Sequence, residues 1–492
     1  MGDQQQYRQI VKATSLFGGV QVITIIIAII RSKAIAVLLG PSGMGVASLL
    51  QSTIGLVGQF TSMGLSTSAI KDIAQAHNSN NEEAVGKIVA VLRKWVWLTG
   101  TLGFVVTLAL APWLSEAAFG NRSYTVAFML IAVTLLLGQV SAGQGVVLRA
   151  LRKLKYLATS SVLGAALGLL TSLPLYYYLG MEGIVPAILI TSVTGLILTW
   201  YFASRIKVKK VTIATHEVWE KGKSMVQLGF MLSLNGIITT GSAYALRIFI
   251  SRHGSIDDVG LFNAAFAIVN TYVGLVFTAM TTDYYPRLAA VANQPEQWNK
   301  VISQQAELAF LILAPILALF IVAAPLGVRL LYSNEFLVIT PLLIWGSMGI
   351  LFKAASWAIA YIFLAKGDSR AFFINELVVN AYMLALNIMG YYMLGLTGLG
   401  ISYAISYFLY ALQVVWVAQR LYGLVLNPNA VKLFARCLIL LLSCFIIARN
   451  LHGMWFYIFS SLSILFIITF SLRQLHKRID LFALWKKILN RN

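Results

Sequence analysis

Long apolar runs recur along most of the chain, and each is close to the length that a helix needs to cross a bilayer. About 20 helical residues span the hydrocarbon core, and the polar segments between the runs are short. The pattern predicts fourteen membrane spans. Their predicted bounds are 13–39, 43–69, 94–114, 124–148, 157–179, 184–204, 225–250, 259–284, 306–326, 338–364, 371–394, 399–419, 433–449 and 454–472.

The composition agrees with this interpretation. Of the 492 residues, 59% are hydrophobic and only 11% are charged, whereas soluble domains carry roughly 25% charged residues. The mean hydropathy is +0.80. No loop between the predicted spans is long enough to hold a soluble domain. We therefore predict an all-α, polytopic membrane protein.

The net charge of +20 comes from basic residues that lie mainly between the apolar runs. With the N-terminus inside, 29 of the 37 lysines and arginines fall in inward segments, and the outward loops hold only Arg122, Arg252, Arg329 and Arg449. This alternation follows the positive-inside rule and predicts that both termini are cytoplasmic. A nucleic-acid partner is not expected, because it requires basic residues clustered on a soluble face.

The chain also repeats itself at an almost constant offset. Residues 176–180, Tyr-Tyr-Tyr-Leu-Gly, end span five, and residues 391–395, Tyr-Tyr-Met-Leu-Gly, end span eleven, 215 residues later. Arg31 and Arg247 are 216 residues apart. Further pairs at the 215-residue offset are Gly183 with Gly398, Gly45 with Gly260, Ala74 with Ala289 and Arg205 with Arg420.

An even number of spans per repeat keeps both copies in the same orientation, so a pseudo-twofold axis along the membrane normal relates them. We predict an N-lobe of spans one to six in residues 1–204 and a cytoplasmic linker in residues 205–224. A C-lobe of spans seven to twelve follows in residues 225–422. Residues 423–492 hold two further spans and a basic cytoplasmic tail.

Four cations fall inside predicted spans, and three of them are candidate site residues, whereas Lys33 points elsewhere on the helix because it is two positions from Arg31. Lys353 lies about midway along span ten, where a charge costs about 2.5–3.5 kcal/mol on insertion scales, while Arg31 and Arg247 lie nearer the outer ends of spans one and seven. An ion pair for Lys353 and snorkelling for the arginines are the structural alternatives. If the three face a shared cavity, they favour an anion such as a diphosphate, which guanidinium groups bind in bidentate fashion.

Other polar residues in the spans are candidates for coupling and for lining a cavity. Glu376 and Asp283 could carry a coupling H⁺ or Na⁺, although an ion pair with an inner-face Lys or Arg explains each equally well. Gln51, Asn235 and Asn270 are candidate cavity-lining residues. The sequence has no Cys/His cluster of the kind that binds zinc, so no metal, cofactor or catalytic residue is expected.

Several short motifs, taken in order, resemble one family of transporters. They are Leu39-Gly40-Pro41-Ser42-Gly43-Met44-Gly45 after the span with Arg31, Asp72-Ile73-Ala74-Gln75-Ala76-His77, Asp258-Val259-Gly260, Pro286-Arg287-Leu288, Leu331-Tyr332-Ser333-Asn334-Glu335-Phe336 and Leu364-Ala365-Lys366. Over about residues 10–420 the chain resembles the Wzx-type flippases of lipid-linked oligosaccharides. Their superfamily also holds the lipid II flippase and the multidrug and toxin extruders. Many Wzx-type members end near twelve spans, so the last two spans are a departure.

The resemblance implies transport of an undecaprenyl-diphosphate-linked, O-antigen-like unit from the inner to the outer leaflet of a bacterial inner membrane. It implies that Arg31, Arg247 and Lys353 form the cationic cavity, and it makes other polysaccharide-assembly proteins candidate partners. A cation-coupled multidrug exporter is one alternative, and it predicts acidic groups in the cavity. A polyprenol-linked glycosyltransferase or polymerase is another, and it usually requires a sizeable outward loop.

Overall fold

The computed structural model describes residues 2–79, 81–209, 211 and 213–478. Within those residues the chain forms helices and no β-strand. Short 3₁₀ segments occur at Gly180–Gly183 and Asn334–Ile339, and a π-helical segment occurs at Ala267–Tyr272. The α-helices are α1 (Gly2–Leu38), α2 (Gly40–Thr61), α3 (Leu65–Asn78), α4 (Glu82–Phe119), α5 (Thr125–Ala150), α6 (Leu154–Leu179), α7 (Ile184–Ser204), α8 (Thr215–His253), α9 (Ile256–Phe266), α10 (Gly274–Ala290), α11 (Pro295–Leu331), α12 (Thr340–Ala365), α13 (Ser369–Tyr422), α14 (Pro428–Asn450) and α15 (Gly453–His476).

Ten helical stretches in the described part of the chain are long and apolar enough to cross a membrane. Two of them, Leu154–Ser204 and Ser369–Tyr422, have 51 and 54 residues, more than twice the length of one crossing. Each of these two holds two predicted spans, so the ten stretches hold twelve spans. Of the other two, the second lies in α2 and the start of α3, and the seventh lies in α8. The predicted all-α, polytopic fold is confirmed.

The second predicted span, residues 43–69, was expected to be continuous, and it is not. Helix α2 ends at Thr61 and α3 begins at Leu65. Gly64 between them has φ +62°, a left-handed conformation that glycine adopts without strain. A Cβ on Gly64 would collide with the backbone carbonyl of Gly229 in α8. The break therefore sits where two glycines let the backbones approach closely.

The chain divides into two compact units, and the first comprises Met1–Gly260 with Leu331–Ser333. Its core includes Val91, Leu92 and Trp95 of α4, packed against Val218 and Met225 of α8. The Trp95 indole N–H donates to the Val218 carbonyl at 2.9 Å. The first compact unit therefore includes α8, which follows the predicted linker at 205–224. The division of the chain into two lobes by sequence repeat stays a prediction.

The second unit comprises Leu261–Leu330 and Asn334–Asn492. Helices α12 and α13 pack along each other, with Ile362 and Phe363 of α12 and Val414 and Ala418 of α13 in one buried core. Asp368 caps α13 by accepting from the Ala371 N–H at 2.9 Å, and it accepts from the Tyr422 hydroxyl at 2.8 Å. These bonds hold the pKa of the Asp368 carboxyl below its usual range.

The repeated Tyr-Tyr-x-Leu-Gly motif has the same backbone geometry in both copies. Gly180 has φ 56° and ψ −129°, and Gly395 has φ 57° and ψ −141°. A Cβ on Gly183 would collide with the carbonyl of Leu175, and one on Gly398 would collide with the carbonyl of Gly390. Those two contacts are again 215 residues apart. Each copy therefore makes the same tight turn between two spans.

Candidate substrate-binding site

Lys353 of α12 lies in a half-buried, neutral environment in the second unit. Its Nζ donates to Asn270 Oδ1 at 2.8 Å. The same Nζ lies 5.2 Å from the ring centroid of Tyr407 and 5.7 Å from that of Phe277. No carboxylate among the described residues forms an ion pair with Lys353. The structural alternative for this lysine, an ion pair, is therefore not seen in the described part of the chain.

Asn270 holds Lys353 from a π-helical turn at Ala267–Tyr272. Such turns insert one residue into a helix and often occur at functional sites. The Asn270 oxygen also accepts from the Tyr403 hydroxyl at 3.3 Å. Because lysine can only donate, this contact fixes the orientation of the amide. The Asn270 Nδ2 is buried and finds no partner among the described residues, so a strong donor is left unused beside the cation.

Glu376 belongs to a polar network on α13 in the same unit. Its Oε1 accepts from the Tyr410 hydroxyl at 2.9 Å. The Asn375 amide donates to the same hydroxyl at 3.3 Å, and Gln413 Nε2 donates to Asn375 Oδ1 at 2.7 Å. Tyr410 is next to Tyr407, with ring centroids 6.4 Å apart. A chain of aromatic and amide groups thus links the surroundings of Lys353 to this carboxylate.

Asp283, the other candidate coupling residue, lies in a simpler setting. It forms an ion pair with Arg287 one helical turn away at 2.8 Å, and 75% of its side chain is exposed. An i,i+4 pair of this kind is ordinary on an exposed helix face. The ion-pair alternative therefore accounts for Asp283.

The two repeat-related arginines lie in the first unit and are held differently. Arg247 of α8 donates to Ser48 Oγ at 3.2 Å and to the Ala243 carbonyl at 2.9 Å. Arg31 of α1 is half-buried, and its Nη2 lies 3.5 Å from the Tyr176 hydroxyl. The latter distance is at the limit of a hydrogen bond.

The remaining candidates divide between the units. Gln51 is exposed on α2 and Asn235 is half-buried on α8, both in the first unit. The Asn235 Oδ1 is buried without a partner among the described residues. The cations Arg31 and Arg247 lie in the first unit and Lys353 in the second, so their convergence on one substrate stays a prediction.

Sequence reasoning missed the tyrosine stripe that faces this network. Tyr403, Tyr407 and Tyr410 recur at helical spacing on α13, and the rings of Tyr403 and Tyr407 are 4.7 Å apart. The spacing of the three rings is the signal that could have revealed them. Neighbouring Tyr382 also has a buried hydroxyl without a described partner.

Repeat-related residues also meet each other inside the first unit. A Cβ on Gly45 would collide with the carbonyl of Ile256, and one on Gly260 would collide with the carbonyl of Pro41. Ser42 donates a hydrogen bond to Asp257. Positions 42 and 257 are equivalent at the 215-residue offset, and the two glycine contacts are exchanged with each other by the same offset. A local pseudo-twofold axis therefore passes between the start of α2 and the start of α9.

These features define a polytopic helical membrane protein, and known structures share its fold. An inward-facing multidrug-resistance MATE transporter of the MOP superfamily has a TM-score of 0.69 and 16% identity, covering 82% of this chain and 95% of that one. The lipid II flippase MurJ in an inward closed conformation has a TM-score of 0.68 and 12% identity, covering 95% of this chain and 99% of that one.

The sequence comparison narrows this class to a family. A family model described as "Polysaccharide biosynthesis protein" matches residues 34–341, and the chain belongs to that family. It is 25% identical over 362 residues to the lipid III flippases of Escherichia coli K12 and Shigella flexneri, covering 70% of this chain and 82% of each relative. The resemblance predicted from the short motifs is confirmed.

Proposed function

We propose that this protein flips undecaprenyl-diphosphate-linked oligosaccharides from the inner to the outer leaflet of a bacterial inner membrane. The family match, the lipid III flippase relatives and the shared fold with a lipid II flippase support a lipid-linked substrate. Transport is by alternating access and involves no covalent chemistry. The sugar is an O-antigen-like repeat unit, and other polysaccharide-assembly proteins are the expected partners.

The observation that carries the proposal is the neutral surrounding of Lys353. Its described partners are the Asn270 oxygen and two aromatic faces, so its charge is available to an anion. In a low-dielectric site an ammonium and an unused amide donor attract a phosphate oxygen far more strongly than they would in water. The diphosphate binds here and at Arg31 and Arg247, where guanidinium groups offer bidentate hydrogen bonds.

The rest of the substrate needs two further environments. The polyprenyl tail stays in the bilayer, because burying its apolar surface there costs nothing. The sugars cross in a hydrated cavity that Gln51, Asn235 and Asn270 line, since amide side chains can both donate to and accept from hydroxyl groups.

The driving force is an ion gradient or the membrane potential. Glu376 is the residue that we propose to carry a coupling H⁺ or Na⁺, because it is a half-buried carboxylate whose described side-chain partner is a hydroxyl. Asp283 is the second candidate, although its ion pair with Arg287 already compensates its charge. Moving one charge through 100 mV supplies about 2.3 kcal/mol.

A cation-coupled multidrug exporter is the main alternative, and the likeness to MATE structures favours it. An organic cation would require acidic groups around the cavity, whereas the described surroundings of Lys353 are neutral. A glycosyltransferase or polymerase is the third class. Turnover of a lipid-linked sugar by the protein in detergent, without transport, would support that class.

The decisive experiment is flipping of a fluorescent undecaprenyl-diphosphate oligosaccharide in proteoliposomes that carry Arg31→Ala, Arg247→Ala or Lys353→Ala. We expect each variant to reduce the flipping rate by at least about tenfold, which is the effect of removing one charge-assisted contact. Lys33→Ala is the matched control, because Lys33 is an exposed cation two residues from Arg31. Near-normal flipping in all three variants at normal protein levels would contradict the cationic site.

A further inference from the structure

A second concentration of positive charge lies in the first unit, away from the predicted spans. A cavity of about 440 Å³ opens between the end of α3, the start of α4, the turn between α5 and α6, and the segment after α7. We name it the basic pocket. Its lining residues are His77, Asn81, Glu82, Val85, Leu151, Lys153, Tyr156, Arg205, Ile206, Lys207, Val208 and Lys209.

The segment after α7 is built to present its cations to this pocket. Arg205 still has helical backbone angles at the end of α7, and residues 207–209 are not helical. Ile206 and Val208 pack against the buried core of the unit. Arg205, Lys207 and Lys209 are exposed. Half-buried and exposed side chains therefore alternate along the segment. The half-buried ones fix its backbone against the unit, and the exposed ones place three positive charges at the surface.

Gly86 fixes this segment against α4. A Cβ on Gly86 would collide with the carbonyl of Lys209 and would lie 2.9 Å from Val211 Cγ2. Only a glycine allows the backbone of this segment to lie this close to the helix. Ile213 is buried a few residues further on. The basic side chains thus stand on an anchored segment.

The positive charges of the pocket outnumber the negative charges beside them in the described part of the chain, although Glu83 next to the pocket interacts electrostatically with Lys209. Four lysine and arginine side chains line it, and Glu82 is the one carboxylate among the lining residues. None of the four cations forms an ion pair with a described residue. Arg205 instead lies over the Tyr201 ring, 4.5 Å from its centroid. The pocket is large enough for one small ligand, and its charge requires that ligand to be an anion.

The position of the pocket indicates where the anion comes from. Arg205 immediately follows the end of α7, and the exposed rings of Trp200 and Tyr201 lie in the last turn and a half of that helix. Exposed Trp and Tyr at a span end mark the level of the lipid headgroups. Basic pockets at the cytoplasmic ends of membrane helices bind phosphate headgroups. We propose that the basic pocket binds the phosphate headgroup of an anionic phospholipid of the cytoplasmic leaflet.

The test compares lipid retention by full-length protein in nanodiscs that contain equal amounts of phosphatidylglycerol and phosphatidylcholine. Native mass spectrometry should show preferential retention of phosphatidylglycerol by the wild type. The triple variant Arg205→Gln, Lys207→Gln, Lys209→Gln should lose that preference by about tenfold or more. The matched control is Lys300→Gln, Lys432→Gln, Arg436→Gln, which removes three exposed cations outside the pocket and should keep the preference. Equal retention in the two triple variants would overturn the proposal.

A second pair of variants tests the anchored geometry without changing charge. Gly86→Val should displace the segment 205–209 and reduce retention, whereas Gly195→Val should not, because nothing lies within 4 Å of a Cβ at Gly195. A third experiment adds inorganic phosphate to the nanodiscs. If it stabilises the wild type in pure phosphatidylcholine nanodiscs and displaces phosphatidylglycerol, the pocket takes a soluble phosphate and the lipid assignment is wrong. Full retention of the lipid at millimolar phosphate supports the assignment.

Discussion

Lys353 in the second unit and Arg31 in the first are both cations inside predicted spans, yet their surroundings differ. The Lys353 ammonium is held at 2.8 Å by an amide oxygen and flanked by two rings. Within the described part of the chain, the Arg31 guanidinium is held only by a marginal 3.5 Å contact with the Tyr176 hydroxyl. Lys353 is therefore preorganised, which lowers the cost of binding, whereas Arg31 is free to follow a moving ligand. The difference suggests that Lys353 contributes most of the affinity.

The largest expected effect contrasts the two cations directly. Lys353→Met keeps a chain of similar length without charge and should reduce flipping in proteoliposomes by about 100-fold, since a preorganised charged contact is worth up to about 3 kcal/mol. Arg31→Met should reduce it by about tenfold. Equal losses in the two variants would remove the distinction between a fixed and a loosely held cation.

Asn270 offers a way to cancel the Lys353 charge without touching the lysine. Asn270→Asp would place a carboxylate where the amide oxygen now lies 2.8 Å from Nζ, and flipping should fall nearly as far as in Lys353→Met. Asn270→Ala removes the contact but leaves the charge, so the loss should be about tenfold. An aspartate variant as active as the wild type would mean that the Lys353 charge is not needed by the substrate.

Tyr407 tests the aromatic half of the Lys353 surroundings. Tyr407→Phe keeps the ring that lies 5.2 Å from Nζ and should leave flipping within about twofold. Tyr407→Leu removes the ring and should cost a few-fold, the usual size of a cation–π contact. The flipping rate in proteoliposomes is the measurement, and a loss in Tyr407→Phe as large as that in Tyr407→Leu would point to the hydroxyl instead.

Tyr176 should give the smallest effect. Tyr176→Phe deletes the marginal 3.5 Å contact with Arg31, so flipping should change by less than about twofold. Arg31→Met in the same background should still lose about tenfold. A large loss of flipping in Tyr176→Phe would show that the Tyr176 hydroxyl fixes the position of Arg31.

The sequence predicted the helical architecture because its signal is carried by runs of many residues, each of which contributes to the same hydropathy pattern. It also predicted the repeated Tyr-Tyr-x-Leu-Gly motif, and its two glycines, Gly180 and Gly395, have matching backbone conformations. It placed Lys353 within its span from polarity alone. A single charged residue in an apolar run is conspicuous whatever it contacts.

Contacts between residues far apart in the chain could not be predicted from the hydropathy pattern. The π-helical turn that presents Asn270 to Lys353 leaves no pattern in a single sequence, because it is one inserted residue in an ordinary helix. The break between α2 and α3 at Gly64 depends on Gly229, far away in the chain. The packing of α8 in the first unit likewise depends on glycines that meet across helices, and hydropathy does not record which helices meet.

The contact between the start of α2 and the start of α9 has a consequence for how such a chain can diversify. In two separate, identical six-span chains, this contact would be a homodimer interface in which residues on the twofold axis face their own copies. Position 42 and its equivalent 257 would then be two serines or two aspartates. Joined in one chain, they are Ser42 and Asp257, a donor and an acceptor that hydrogen-bond. Fusion thus permits a complementary pair at a place where a symmetric dimer could only have matched a residue with itself.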